Sequence, residues 1–109
     1  MTESEFLALA KSTLDRIEEC LDRLNDEDVV DVECKRSGNV LELEFLRNGS
    51  KIIINSQAPL QEMWLAARSG GYHYKRVGEE WRNTRDDTEL FASLSQCVTE
   101  QGGAPVALG

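Results

Sequence analysis

The sequence has 109 residues but a single histidine, His73, and three cysteines, Cys20, Cys34 and Cys97, far apart in the chain. No CxxC pair occurs, so neither a zinc knuckle nor a disulfide framework is expected. Scattered thiols in odd number read instead as buried, reduced cysteines of a reducing cytosol; Cys97 fits this best, beside Leu94 and Val98 on an apolar helical face. No apolar run approaches the roughly 20 residues of a membrane span. The opening, MTESEF, lacks the basic and apolar regions of a signal peptide. There is no phosphate-binding glycine loop and no Ser, Cys and His set that reads as an activated nucleophile. Basic residues are scarce in one place only. Residues 1–33 carry eleven acids against three bases, whereas residues 34–109 carry nine of each. The net charge of −8 therefore lies wholly in the first third. Such a surface repels nucleic-acid phosphates and anionic membranes, and it attracts cations and basic protein surfaces. A soluble cytoplasmic domain is the expected class.

Residues 3–24 read as a helix. Phe6, Ala10, Leu14, Ile17, Leu21 and Leu24 form one stripe at 100° per residue, and Asp15, Glu18, Glu19, Asp22 and, if the helix reaches it, Asp26 fall opposite. Ser4 or Thr2 is the candidate cap, with Glu5 near the positive helix end. From residue 29 the period becomes two: Val30, Val32 and Cys34 alternate with Asp31 and Glu33, then Leu41, Leu43 and Phe45 with Glu42 and Glu44. Ser37–Asn39 and Asn48–Gly49 are turn signals. Residues 51–55 form a β-branched strand, residues 71–77 and 79–82 a hairpin near Gly78, and a second helix starts from Asp86 or Asp87 with Leu90, Phe91, Leu94, Cys97 and Val98 inward. The stretch APLQEMWLAARSGG is ambiguous. Its proline, its terminal glycines and its helix formers favour a short helix; as a strand it places Met63, Leu65 and Ala67 on one face and Glu62, Trp64 and Ala66 on the other. Helix, antiparallel strands, helix implies an α+β two-layer sandwich of five or six strands, with the N- and C-terminal helices on one sheet face. One domain spans residues 1–101, and 102–109 read as a loose tail.

The segment GSKIIINSQAPLQEMWLAARSGGYHY, residues 49–74, closely resembles the central signature of bacterial frataxin, the CyaY family. The matching residues are Ile52–Asn55, Gln57, Pro59, Trp64–Ala66 and Gly70–His73. Gly78 and Trp81, the acidic first helix and the closing helix extend the likeness over residues 4–101. The resemblance implies two helices on one face of an antiparallel sheet, with residues 59–67 as a strand.

Carboxylates three and four apart on a helix lie roughly 5–6 Å apart at Cβ, so pairs can share a hard cation directly or through water. Without converging His or Cys, such a site is open and weak. The resemblance implies an iron-binding acidic ridge, onto which Glu18, Glu19, Asp22, Asp31 and Glu33 map best, Asp26, Glu27 and Asp28 in character, and Glu44 more distantly. Iron as Fe2+ or Fe3+ would bind reversibly, other divalent or trivalent cations substituting. The resemblance also implies docking of the open sheet face, through Asn55, Gln57, Trp64 and His73, on the cysteine desulfurase and the iron–sulfur scaffold protein. The expected protein is a monomeric, non-catalytic adaptor or regulator of iron–sulfur cluster assembly, with metal-induced oligomers an option. Two other readings stand beside it. A ferroxidase-like storage protein would ordinarily need Glu-x-x-His pairs, which are absent. An acidic decoy for a basic protein surface would be served by the ridge alone.

Overall fold

A computed structural model describes residues 1–108. The chain order is α1 (Glu3–Asp26), β1 (Val32–Ser37), β2 (Val40–Phe45), β3 (Lys51–Gln57), β4 (Glu62–Ala67), β5 (Gly70–Val77), β6 (Glu80–Asn83) and α2 (Leu90–Gly102). The six strands form one antiparallel sheet in sequential order. Both helices cover the same face, as the two-layer expectation required.

Helix α1 begins at Thr2, whose side chain accepts from the Glu5 N–H while Glu5 accepts from the Thr2 N–H, a reciprocal capping box. Its stripe of Phe6, Ala10, Leu14, Ile17 and Leu21 is buried against Leu41, Leu43, Ile52, Ile54, Met63 and Leu65 from the sheet. Trp81 and Tyr74 are buried in the same core. The Trp81 indole N–H donates to Thr13 Oγ1 at 2.9 Å, which satisfies the largest buried polar side chain. Among the described residues no helix is long and apolar enough to cross a membrane.

Four expectations change. The first strand starts at Val32 rather than 29, because residues 27–31 carry the turn out of α1; the Val32 N–H donates to Asn25 Oδ1 and pins that turn. The ambiguous stretch is a strand only from Glu62. Pro59 lies in a 3-10 turn, Ala58–Leu60, and Gln61 follows with left-handed backbone at φ +52°. Helix α2 starts at Leu90 with Glu89 as its cap, because Asp86 and Asp87 are spent in the preceding turn: Asp86 Oδ1 accepts from the Thr88 N–H, and Asp87 is left-handed at φ +65°. Residues 103–108 are not loose. The chain reverses at Gly103, Val106 N–H donates to Thr99 Oγ1 at 3.1 Å, Leu108 N–H donates to Ser95 Oγ at 2.8 Å, and Ala104, Val106 and Leu108 pack on the core.

Of the cysteines, Cys97 is buried and Cys20 and Cys34 are half-buried; all three are free. Burial first, then the nearby carboxylates Asp22 and Glu18, push the Cys34 thiol up to about 12.

Candidate functional site

The acids of the first third lie along α1, in the turn that leaves it and on β1. Those on α1 do not share one environment. Arg36 lies on β1 in phase with Val32 and Cys34, so it faces the helix. Its Nη1 sits 2.8 Å from Asp15 Oδ1 and 3.5 Å from Glu18 Oε1, and Lys11 Nζ holds the other Asp15 oxygen at 2.7 Å. Hydrogen bonds from Lys11 and then Arg36 hold the Asp15 carboxyl below its ordinary range. Glu18 is thus half-buried in an ion pair. Glu19 is exposed on the other flank, where Arg16, Arg23 and Leu108 line a shallow groove with it.

Asp22 is exposed and stands beside Cys34. Asp26 is the last residue of α1, Glu27 its C-cap, and Asp28 the left-handed residue beyond, at φ +58°. Three acids therefore crowd the negative end of the helix dipole, where cations are favoured. Asp31 follows in the turn, its carbonyl accepting from the Leu46 N–H at 3.0 Å. Glu33 on β1 stands directly opposite Glu44 on β2, both on the sheet face away from the helices. Like charges in such a pair repel. Glu19, Asp22, Asp26, Glu27, Asp28, Asp31, Glu33 and Glu44 make no ion pair among the described residues. Nor do three His, Cys, Asp or Glu side chains converge closely enough among them to enclose a metal ion. The ridge is an open set of carboxylates, with Glu33 and Glu44 directly opposed across strands, suited to loosely held, water-bridged hard cations.

The open face carries the other group. Register places Asn55 (β3), Trp64 (β4) and His73 (β5) in one cross-strand row, and Gln57, Glu62 and Lys75 in the next. The Trp64 and His73 rings stack with centroids 4.3 Å apart and planes within 3°. All four residues expected on this surface are therefore brought together. Sequence reasoning missed Glu62 and Arg36. Both had a signal in the period of two: Glu62 shares the face of Trp64, and Arg36 shares the inward face of Cys34.

A frataxin-like domain model matches residues 1–104. The chain belongs to the frataxin-like, CyaY family. An iron–sulfur cluster assembly protein CyaY from Herminiimonas arsenicoxydans is 64% identical over 108 residues, covering 99% of this chain and 96% of that protein. One from Cupriavidus necator is 57% identical over 109 residues, covering 100% and 97%. Among solved structures, frataxin from Psychromonas ingrahamii superposes with a TM-score of 0.85 at 36% identity, covering 98% of this chain and 97% of that one. Trimeric yeast frataxin complexed with ferrous iron gives 0.74 at 28% identity, covering 87% and 86%.

Proposed function

We propose that this chain is an adaptor and regulator of iron–sulfur cluster assembly that binds iron weakly on its acidic ridge and docks on the cysteine desulfurase and scaffold protein. One observation carries the iron reading: eight ridge carboxylates lack an ion pair among the described residues, although Arg36 and Lys11 serve Asp15 and Glu18 close by. An unpaired acidic surface stores repulsion that a bound cation relieves, so metal should stabilise the fold by mass action. Docking is supported by the Trp64–His73 stack flanked by Asn55 and Gln57, an aromatic anchor with amide neighbours on an otherwise uncovered sheet face. Because the ridge borders this face through Glu33 and Glu44, a basic partner patch can engage both, with affinity falling as salt rises. In this reading the chain is not an enzyme: it presents iron and a surface, and the desulfurase and scaffold supply the chemistry.

The deciding experiment is cluster assembly on purified desulfurase and scaffold, with and without this protein, across an iron titration. An iron-dependent change in rate is expected, and the same rate at every iron level would sink the proposal. Asp22→Asn with Asp26→Asn should blunt the iron dependence, whereas Trp64→Ala should abolish the effect at all iron levels.

A further inference from the structure

The Glu62 side chain is only 10% exposed although it lies on the open face of the sheet. Three neighbours cover it. The Trp64 indole Nε1–H donates to Oε1 at 2.9 Å, His73 Nδ1 lies 3.5 Å from the same oxygen, and Lys75 Nζ lies 3.7 Å from Oε2. Trp64 is two residues along β4, and His73 and Lys75 come from β5, opposite Trp64 and Glu62 respectively. A carboxylate this enclosed is costly unless its oxygens are hydrogen-bonded and its charge is answered. Here residues of the docking face itself answer it: the indole N–H hydrogen-bonds Oε1, and the Lys75 ammonium balances the charge from 3.7 Å.

An indole on a sheet surface is free to change rotamer, and its N–H turns toward whatever acceptor is in reach. The Glu62 carboxylate supplies a charged acceptor at the base of the ring, and charge-assisted bonds are the stronger kind. We propose that Glu62 is a positioning residue of the docking face: it holds Trp64 in the single orientation that stacks on His73. This rests on the docking reading above. The arrangement also limits what a partner offers. The indole N–H of Trp64 is spent internally on Glu62 Oε1, so the partner meets ring surface and the Lys75 ammonium, which stands 3.7 Å from Glu62 Oε2. An apolar or guanidinium side chain lying against the rings fits that surface; an acceptor aimed at the indole N–H does not.

The test compares Glu62→Ala, Glu62→Gln and Trp64→Ala. Two readouts are taken: the indole Nε1–H resonance of Trp64, told apart from that of Trp81, the other tryptophan, and affinity for purified cysteine desulfurase. Glu62→Ala should move the resonance and weaken binding about tenfold. Glu62→Gln, which keeps an acceptor oxygen without the charge, should restore both. An unmoved resonance in Glu62→Ala overturns the assignment whatever the desulfurase does, and so does a moved resonance with parent-like affinity. If the parent fails to bind, or Trp64→Ala binds like the parent, the docking reading falls and takes the positioning role with it; the resonance then still reports separately whether Glu62 holds the ring.

Discussion

Asp28 stands where a helix ending favours glycine, and replacing it should stabilise the protein. The Asp28 N–H donates to the Asn25 carbonyl at 3.1 Å and the Val29 N–H to the Leu24 carbonyl at 2.9 Å, the paired bonds of a Schellman ending. The residue between them must be left-handed, and Asp28 is, at φ +58°. Helix α2 meets the same demand with Gly103, at φ +77°. Left-handed backbone costs an ordinary L-residue about 1–2 kcal/mol, and Asp or Asn less. A carboxylate at the negative helix end adds about 0.3–1 kcal/mol. The greater freedom of glycine in the unfolded chain takes back about 0.4–1 kcal/mol. Asp28→Gly should therefore gain about 1 kcal/mol and raise Tm by about 4 °C. Asp28→Asn loses the charge alone and should gain roughly half as much. Asp28→Ala keeps the full steric cost and should melt below the parent. Thermal melts should rank Gly above Asn, Asn above Asp, and Asp above Ala. High salt should close the Asn–Asp gap, which is Coulombic, and leave the Gly–Ala gap, which is not. Alanine melting at or above asparagine would refute the reasoning.

Thr13→Val strands the buried Trp81 indole N–H, so it should cost about 1–3 kcal/mol in chemical denaturation, with Thr13→Ser restoring most of it. Among the described residues the buried Tyr74 hydroxyl has no hydrogen-bond partner; burial raises its pKa against the opposing influence of nearby Ser93 and Asn83. Tyr74→Phe should accordingly leave stability unchanged or raise it by up to about 1 kcal/mol, and a clear loss would mean that the hydroxyl has a partner after all. Cys34 should stay a thiol in the folded protein up to about pH 12, while in the unfolded chain it ionises near pH 8.5. Its contribution to stability is thus intact below about pH 8.5 and is lost as pH rises toward the folded value. At pH 8.5 iodoacetamide should label Cys34 far more slowly in native than in denatured protein, and equal rates would contradict its placement.

The periods of 3.6 and 2 were enough to assign the core, because each period fixes which side chains share a face. They could not assign Glu62–Ala67, where Met, Leu and Ala suit either state and Pro59 and Gly70 bracket the stretch as they would a helix. The strand wins because it pairs on both sides, with β3 and β5, a non-local gain that propensity does not register. Asp86 and Asp87 misled in a similar way. Acids before an apolar run read as a first helical turn, yet two Asp side chains also stabilise turns of their own. In the tail, the alternation of Val106 and Leu108 was a usable sign of docking that the flanking glycines masked. The acidic ridge was legible as charge, but its compensation was not, since Arg36 lies 21 residues beyond Asp15 in sequence.

That compensation divides the ridge into two kinds of carboxylate. Asp15 and Glu18 tie α1 to β1 through Arg36, so substituting them alters packing and charge together and would confuse a loss of binding with a loss of fold. Glu33 carries no such burden: it is exposed, unpaired among the described residues, and faces Glu44 across the sheet. Opposed like charges destabilise by about 0.2–1 kcal/mol. Glu33→Gln should therefore raise the metal-free melting temperature while shrinking the further rise that millimolar metal produces. The two changes should move in opposite directions by similar amounts, because one repulsion is being relieved by either route. A variant that gains stability and keeps the full metal response would place cation binding elsewhere on the ridge, away from the Glu33–Glu44 pair.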